Sequence, residues 1–512
     1  MLLLIWLVVI AAALYLYFRQ HYSYFTSRGV KSLPTLPLVG NMGGILLKTE
    51  HLADYIERCY FSFPEERLVF RRFEFIKPMV MIRDIELAKK ITVKDFDHFI
   101  DHRTMIDEST DPLFGRNLIS LKGHEWKDMR STLSPAFTSS KIRVMVPFMV
   151  EVGDQMIKAL KDKIESSDSN FFVLKRQILS EDYIDVDVKD LTSRYANDVI
   201  ASCAFGLKVD SHTNVDNQFY AMGKVTSSFQ FKQLLIFKIN LFSETSKSFF
   251  RNLVMSTMQN RDEKNIIRPD MIHLLMEAKK AFFLFCISGR LTHDENHSKD
   301  VDAGFATVEE SSIGKKDVNR GWLTLGCVPE TILFFLAGFE TVSSGMSFLL
   351  HELAMNPDVQ ERLVQEIREN HDKNGGKLWP PAISLERMCV KDYNCGKPND
   401  KLRKGNGVAI PVWAFHHDPQ YFPEPEKFDP ERFSDENKHK INPLAYMLFG
   451  LGPRNCIGSR FALCEMKVMA YQLLLHMEIS PAEKTCIPAK LTCESFNIRL
   501  QGGHWVRFNI RK

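Results

Sequence analysis

The chain has no two cysteines in Cys-x-x-Cys spacing, although it contains ten cysteines. Cysteines scattered singly argue against a disulfide framework and a structural zinc site, and they are typical of a reducing compartment. The 66 basic residues nearly balance the 63 acidic ones, so the net charge of +3 gives no nucleic-acid signal. No glycine-, serine- or proline-rich linker divides the 512 residues, which favours one large domain.

Nucleotide-binding motifs are also absent. Neither Gly450-x-Gly452 nor Gly405-x-Gly407 continues into Gly-x-Gly-x-x-Gly, and no Gly-x-x-x-x-Gly-Lys-Ser/Thr phosphate loop occurs. The segment that begins at His351 lacks the second histidine of a His-Glu-x-x-His zinc motif. The sequence therefore shows no site for NADPH or flavin.

The most distinctive stretch is FGLGPRNCIG, from Phe449 to Gly458. Cys456 lies in this glycine-rich turn, ahead of apolar residues that recur every three or four positions as on one helix face. Its sulfur is therefore expected at a helix N-terminus, where unpaired N–H groups favour the thiolate that a metal requires. Gly452 and Gly458 let the backbone approach a flat cofactor, and Arg454 is placed to pair with a carboxylate.

The pattern Phe-x-x-Gly-x-Arg-x-Cys-x-Gly resembles the heme-binding loop of cytochromes P450, in which one cysteine thiolate binds the iron. The resemblance covers nearly all of residues 30–510. It is closest, in AGFETVSS and FGLGPRNCIGSRFA, to microsomal P450s of insects in the xenobiotic-handling clan near family 9. It implies the cytochrome P450 fold, mainly α with small β-sheets, in which Phe449, Gly452 and Arg454 contact heme b and Cys456 is its axial ligand.

Residues 2–18 carry no charge and precede Arg19, His21, Arg28 and Lys31. About 17 residues is near the lower limit for crossing a bilayer, and without a small-residue cleavage site an uncleaved anchor is favoured over a signal peptide. The basic residues indicate a cytoplasmic remainder. We expect a transmembrane anchor at 1–18, a basic, proline-rich hinge at 19–41 and the heme-thiolate domain at 42–512. The resemblance implies the endoplasmic reticulum membrane.

A second chemical stretch is the apolar segment Thr331 to Ser344, which contains the sequence AGFET. A small residue at Ala337 or Gly338 leaves room for a ligand, and a threonine hydroxyl bonds to a carbonyl or a water. The stretch resembles the oxygen-activating groove of P450s. That resemblance implies that Thr341 holds the reacting oxygen and its water while Glu340 relays protons.

Three other residues match family positions that bind the heme propionates. Trp126 and Arg130 are four residues apart and share a helix face, and Arg387 lies in a segment that resembles a family strand. Basic residues near Trp126 suit an acidic electron donor. The resemblance implies NADPH–cytochrome P450 reductase as that donor, with cytochrome b5 as a second partner, O2 as co-substrate and an apolar small molecule as substrate.

Two segments each have two interpretations. The stretch from Asp107 to Leu118 resembles the substrate-contacting loop of the family, with Phe114 as its apolar contact, but an ordinary surface loop fits its composition as well. Residues 225–242 match the family's roof over the substrate pocket, which dips into the membrane. Their periodicity fits a core segment equally well.

One functional element of the family is missing. P450s carry a Glu-x-x-Arg helix just before the Trp-Pro-Pro segment, but this chain reads NGGKL before Trp379 and contains no Glu-x-x-Arg at all. Arg432 in the Pro-Glu-Arg-Phe segment is then expected to lack its bidentate partner, at a cost of about 3–5 kcal/mol if it is buried. We expect local disorder or poor heme retention around residues 371–405.

Two more segments look misplaced. Pro329 falls where the long oxygen-groove helix should already run, and proline inside a helix costs about 3 kcal/mol. An apolar run at 281–288 interrupts a charged region. The first hypothesis for function is a heme-thiolate monooxygenase. The alternative is a catalytically defective, membrane-anchored P450-like chain, arising from a decayed paralogue or a faulty gene model.

Overall fold

The structure is a computed structural model that describes residues 2–26, 33–62, 69–103, 111, 115–165, 183–227, 243–268, 270–277, 322–368, 379–396 and 401–511. The described part is mainly helical with three small sheets, as the sequence predicts. Several predictions fall outside it, namely those on Phe114 and most of its loop, on residues 228–242, on the apolar run at 281–288 and on residues 371–378.

The helices differ in length from one turn to more than nine. They are α1 (Leu2–Thr26), α2 (Gly43–Leu46), α3 (Leu52–Phe61), α4 (Ile85–Lys89), α5 (Gly123–Leu133), α6 (Ser139–Arg143), α7 (Val146–Glu165), α8 (Val188–Ile200), α9 (Gln218–Ser227), α10 (Glu244–Lys264), α11 (Trp322–Met355), α12 (Pro357–Arg368), α13 (Val412–His416) and α14 (Ser459–His476). Residues 271–277 are also helical. Shorter 3₁₀ or π turns lie at Lys90–Lys94, Phe96–His98, Ser134–Phe137, Ala201–Phe205, Pro430–Phe433 and Lys438–Lys440.

The strands form sheets of four, three and two strands. They are β1 (Val69–Glu74), β2 (Lys77–Ile82), β3 (Tyr183–Asp187), β4 (Leu385–Met388), β5 (Tyr393–Asn394), β6 (Lys401–Leu402), β7 (Gly407–Ile410), β8 (Met477–Pro481) and β9 (Trp505–Ile510). The largest sheet has the order β1-β2-β7-β4, with only β2 and β7 parallel. Its register places Arg387 opposite Val408, which fixes the direction of β4.

Helix α11 runs through the middle of the globule and is apolar on all sides, as expected of a buried helix. Its Ile332 and Phe335 pack with α5, α9 and α10, whereas its Met346 and Leu350 pack with α7, α8 and α14. Pro329 lies inside it, so the expected interruption is wrong. A proline removes one backbone hydrogen bond, and the apolar surface that this helix buries offsets that loss.

In the part of the chain that the structure describes, two helices are long and apolar enough to cross a membrane, Leu3–Tyr24 and Pro329–Met355. The second is mostly buried inside the globule and is its core helix. The first belongs to α1, which continues to Thr26, eight residues beyond the predicted end of the anchor. Most of its side chains from Leu3 to Tyr17 are exposed.

The end of α1 is docked on the β1–β2 hairpin. Phe18 and Tyr22 are buried against Phe73 of β1, and the Tyr22 ring meets the Phe73 ring edge-on with centroids 4.9 Å apart. The Tyr22 hydroxyl donates to the carbonyl of Phe75 in the hairpin turn at 3.2 Å. The first part of the predicted hinge is therefore helical and fixed to the largest sheet.

Arg432 is fully engaged, so the prediction that it lacks a partner is wrong. Its guanidinium donates to the backbone carbonyls of Pro423, of Glu424 at 2.7 Å and of Lys427 at 3.5 Å. The turn over residues 423–427 directs these carbonyl oxygens toward the arginine and replaces the carboxylate that the sequence lacks. Its Nε also lies 4.0 Å from a carboxylate oxygen of Asp429, so backbone acceptors and one weak ion pair together satisfy the guanidinium.

Candidate active site

The loop around Cys456 is closed by its own backbone. The Cys456 N–H donates to the Phe449 carbonyl at 2.8 Å, and the Asn455 N–H donates to the Gly452 carbonyl at 2.9 Å. From α5, Arg130 donates to the backbone carbonyl of Asn455 at 2.9 Å and to its side-chain oxygen at 2.8 Å. Arg130, which was predicted to bind a heme propionate, thus contacts the cysteine loop and fixes the peptide just before Cys456.

The Cys456 side chain is exposed, yet it lies at the inner end of a recess surrounded by protein atoms. That desolvation raises the pKa of the Cys456 thiol, while the backbone N–H of Gly458 and the charge of Arg130 act in the opposite direction. Helix α14 begins at Ser459, as predicted from the turn. Burial thus opposes the effect of the helix N-terminus on the sulfur, and a bound cation would favour the thiolate.

Gly452 is required for a reason that the sequence did not predict. Its φ of +71° lies in the left-handed region, and an added Cβ would come within 1.9 Å of the Thr92 carbonyl oxygen. Gly452 thus allows a close approach of another backbone segment. Gly458 has ordinary room, since an added Cβ would lie 3.7 Å from the Phe137 ring.

Arg454 is buried and stacks on Trp126, with its guanidinium carbon 4.1 Å from the ring centre. It donates to three backbone carbonyls, those of Ile100 at 2.9 Å, Leu118 at 3.1 Å and Leu121 at 2.8 Å. Burial lowers the pKa of Arg454 to about 9, and the charge of Arg387 lowers it further. Three of its five N–H groups are used, so two remain for a ligand.

Arg387 extends from β4 into the same region and is almost fully buried. Its Nη1 donates to the Glu386 carbonyl at 2.9 Å, and its Nε has no acceptor among the described residues. Burial lowers the pKa of Arg387 to about 10. Arg387 and Arg454 make no direct ion pair within the described residues, although the charge of Asp101 acts on Arg454 and partly opposes the lowering of its pKa.

His102 was not predicted from the sequence. Its Nδ1 lies 3.1 Å from the Glu386 carbonyl, to which it donates, and 3.4 Å from Nη1 of Arg387. Burial and the charges of Arg387 and Arg454 hold the pKa of His102 well below its usual range, so the ring is neutral. A neutral imidazole between two guanidinium groups adds no charge to a region that already has two unpaired cations.

The opposite wall is one face of α11. Ala337 and Thr341 are exposed although most of this helix is buried, and they are four residues apart on that face. Phe334, on the same face, meets the Phe137 ring edge-on at 5.2 Å, and the Phe137 ring reaches Gly458. The exposed face of α11 and exposed Cys456 thus border the same recess.

The two small residues of the α11 motif have separate tasks. Ala337 is exposed toward the recess and leaves room there. An added Cβ at Gly338 would instead lie 3.0 Å from the Ile200 side chain of α8, so the glycine serves helix packing. Only position 337 therefore meets the prediction of space for a ligand.

The side chains of Glu340 and Thr341 have different partners. The Thr341 hydroxyl donates to the Ala337 carbonyl, while the Glu340 carboxylate lies 3.3 Å from Nζ of Lys189 and 3.1 Å from Nη2 of Arg499. Nζ of Lys189 also donates to the Ser343 hydroxyl at 2.6 Å. The predicted proton relay from Glu340 is therefore not assembled in this structure, because two cations hold the carboxylate.

The assembled residues fit a flat, doubly carboxylated iron cofactor. A sulfur ligand is accessible at the base of the recess, a small residue and a hydroxyl face it, and two buried guanidinium groups at its side make no direct ion pair within the described residues. Heme b has the matching parts: an iron that accepts a thiolate, and two propionates that pair with arginine.

Sequence reasoning missed four residues of the site: His102, Lys189, Asn455 and Arg499. The role of Asn455 could have been predicted, since it directly precedes Cys456 inside the motif and Arg130 was already predicted to lie near the same cofactor. His102 stands between Asp101 and Arg103 in a short polar triplet, which indicates a buried polar contact but not its partner. Nothing local to Lys189 or Arg499 indicated their approach to Glu340.

Comparison with known proteins agrees with this geometry. The family model for Cytochrome P450 matches residues 30–375 and 378–500. Cytochrome P450 9e2 of Blattella germanica is 42% identical, covering 97% of this chain and 96% of that protein. Probable cytochrome P450 9f2 of Drosophila melanogaster is 38% identical over 98% of each chain, and Probable cytochrome P450 6a13 of the same organism is 33% identical over 99% and 98%.

Proposed function

Since this chain belongs to the cytochrome P450 family of monooxygenases, we propose that it inserts one oxygen atom of O2 into an apolar small molecule. The balanced reaction is RH + O2 + two electrons + two protons, giving ROH and water. The family relationship implies heme with a cysteine thiolate, and the thiolate donates electron density that favours O–O cleavage. The xenobiotic class of substrate is part of the proposal, motivated by the similarity to family-9 proteins of insects.

Each residue of the site has a proposed task. Cys456 supplies the sulfur, and the bonds from Phe449 and Arg130 hold the peptide that carries it. Arg387 and Arg454 pair with the propionates, while Trp126 supports the Arg454 guanidinium from below. The Thr341 hydroxyl holds a proton at the exposed face of α11, fixed by the Ala337 carbonyl.

The single observation that carries the proposal is the pairing of an accessible Cys456 with two buried, unpaired guanidinium groups. A structural cysteine in a glycine-rich turn would not require Arg387 and Arg454 beside it, because unpaired buried cations destabilise a fold. An iron porphyrin accounts for both features at once.

The test is the ferrous–CO difference spectrum of the full-length protein. The expected result is the red-shifted Soret band that a thiolate ligand gives, at one heme per chain. A spectrum typical of a neutral axial ligand, or no heme spectrum, would remove the proposal of an active enzyme. Turnover of apolar test compounds with NADPH–cytochrome P450 reductase, with and without cytochrome b5, would then examine the electron donors.

The location is proposed from the N-terminal helix. The exposed apolar side chains of α1 and the basic residues that follow support an anchor in the endoplasmic reticulum membrane with the globule on the cytoplasmic side. Protease protection of intact microsomes tests this orientation. A globule that is digested without detergent agrees with it, and a protected globule contradicts it.

A second candidate, a catalytically defective P450-like chain, has its own observation. The family match is interrupted between residues 375 and 378, where the Glu-x-x-Arg helix is missing. The alignment with Cytochrome P450 9e2 extends over 537 positions, 25 more than this chain has residues, so the relative contains residues that this chain lacks.

Transcript sequencing across codons 370–380 separates the two candidates. About twenty extra in-frame residues that end in Glu-x-x-Arg would identify the shorter sequence as a gene-model error. If the transcript encodes the sequence as given, heme content per chain is compared with that of a form carrying the inserted helix. Equal heme content and equal turnover would show that this helix is dispensable here, as the backbone partners of Arg432 allow.

A further inference from the structure

Glu330 of α11 is the strongest unexplained group near the site. It is 1% exposed, and neither carboxylate oxygen has a hydrogen-bond partner among the described residues. Its carboxyl group faces the backbone N–H of Leu118, which lowers its pKa only slightly against the effect of burial, and no charged group of the described residues acts on it. Leaving a buried carboxyl without a partner is costly, so a specific reason for its presence is expected.

Its position on the helix points toward the recess. Residues 330, 334, 337 and 341 follow one another at intervals of four, three and four, so that their side chains share one face of α11. Ala337 and Thr341 on this face are exposed to the recess, and Phe334 is partly exposed. Glu330 therefore lies at the end of the same face, about 10 Å from Ala337 and about 16 Å from Thr341 along the helix.

The chain next to Glu330 offers apolar contacts but no counter-ion. Leu118 is buried, and its carbonyl is used by Arg454, while the neighbouring Ile119 remains 45% exposed. No charged side chain of the described residues forms an ion pair with Glu330. Burial raises the pKa of Glu330 well above its usual range, which agrees with the lack of a cation beside it.

We propose that Glu330 is a specificity-determining residue that selects apolar substrates carrying a cationic amine about 10–16 Å from the carbon that is oxidised. This inference rests on the proposed function, because it assumes that the recess holds the substrate. An ammonium group gives the Glu330 carboxylate its missing partner, and the apolar remainder lies along Phe334 and Ala337. Buried charges are tolerated when they are paired in this way.

The test uses two probes of the same shape that are long enough to span this distance, trimethyl(6-phenylhexyl)ammonium and its uncharged isostere (7,7-dimethyloctyl)benzene. A quaternary ammonium is charged at every pH and has no lone pair for iron. Equilibrium dialysis measures the Kd of each probe for the full chain in lipid nanodiscs, with empty nanodiscs to subtract lipid partition. The wild-type protein is expected to bind the ammonium probe on the order of tenfold more tightly than the isostere.

Three variants complete the design. Glu330→Gln is expected to reduce the ratio of the two Kd values to about one with the isostere Kd unchanged, and Glu330→Asp to keep part of the preference. Glu465→Gln is the matched control, since Glu465 is also fully buried with both oxygens unpaired but lies in α14. It should leave the ratio at the wild-type value.

Three results would overturn the proposal: no preference in the wild-type protein, an unchanged preference in Glu330→Gln, or equal weakening of both probes in the Gln and Asp variants. The last would mean that Glu330 only supports the loop at Leu118. The ferrous–CO spectrum of the same preparations is read separately. A missing thiolate band would count against the proposed function, whereas the dialysis result decides the role of Glu330.

Discussion

Two groups of arginines lie on either side of strand β4 and differ in their counter-ions. In the first group, Arg72 lies 2.7 Å from Glu74, which also pairs with Arg103, and Arg103 lies 3.6 Å from Glu386. In the second group, the direct contacts of Arg387 and Arg454 among the described residues are carbonyls, an imidazole and an aromatic ring, and Asp101 acts on Arg454 without forming an ion pair. We call these the paired group and the unpaired group.

The two groups are neighbours in sequence as well as in space. Glu386 belongs to the paired group and the next residue, Arg387, to the unpaired one, just as Arg103 and His102 belong to different groups. One chain segment thus balances its charges on one side and leaves cations unbalanced on the other. Because unpaired buried charges are costly, the difference indicates that the unpaired group receives its anions from a ligand.

The largest expected effect comes from removing the sulfur while both groups stay intact. Cys456→Ser should abolish the thiolate spectrum, because a serine alkoxide forms far less readily and is a poor soft ligand. Some heme should still bind, because Arg387 and Arg454 of the unpaired group can still pair with its propionates. The measurement is the CO spectrum together with heme content, and retention of the thiolate band would identify another cysteine as the ligand.

Breaking the paired group should cost stability and not cofactor affinity. Glu74→Gln leaves Arg72 and Arg103 without their shared carboxylate, and we expect a loss of about 3–5 kcal/mol in the free energy of unfolding. Urea denaturation measures it. The matched control is Glu50→Gln, which breaks a pair with the half-exposed Arg58 and should cost less than about 1 kcal/mol. Similar losses in both variants would contradict the distinction between buried and exposed pairs.

Breaking the unpaired group should do the opposite. Arg387→Met removes a buried cation, so the heme-free protein should be as stable as the wild type or more so, while heme affinity falls on the order of tenfold. Heme transfer to apomyoglobin measures the affinity, and thermal unfolding of the heme-free form measures the stability. A less stable heme-free protein with normal heme affinity would assign Arg387 to the structure and not to the ligand.

The smallest effect concerns pH. Burial, together with the charge of Glu74, raises the pKa of Glu386 from 4.5 to about 7, although Arg103 opposes the shift. The folded state therefore binds more protons than the unfolded state between these values, and stability should fall as pH rises from about 4.5 to about 7. Glu386→Gln should flatten this part of the stability profile. An unchanged profile in the variant would show that other groups determine the slope.

Local motifs made part of the site predictable. Cys456, Thr341 and Arg387 each occur inside a short pattern that also determines its own turn, helix or strand, and the structure places them in those elements. The partners of Glu340 were not predictable in this way. Arg499 lies 159 residues further along the chain, and only the packing of α11 against the C-terminal segment brings the two together.

Periodicity identified the helix after Cys456 but not its buried side. The apolar residues that recur on one face after Cys456, such as Phe461, Cys464 and Val468, are only partly buried, whereas Glu465, Met469 and Leu473 are among the buried residues of α14. A buried glutamate interrupts the apolar pattern on the true inner face. For the same reason, Arg432 and Pro329 were misjudged, because the sequence does not show which backbone carbonyls or neighbouring helices compensate for them.

The docking of α1 on the β1–β2 hairpin gives the anchor a mechanical role. Phe18 and Tyr22 attach the helix to the sheet whose other edge is β4, the strand that carries Arg387. A helix in a bilayer changes its tilt with the thickness of the hydrocarbon layer, and a rigid attachment turns that tilt into torque on the sheet. If α1 lies in the bilayer as proposed, we expect heme retention to depend on bilayer thickness, a dependence that nanodiscs of short- and long-chain lipids would reveal and that Tyr22→Ala should remove.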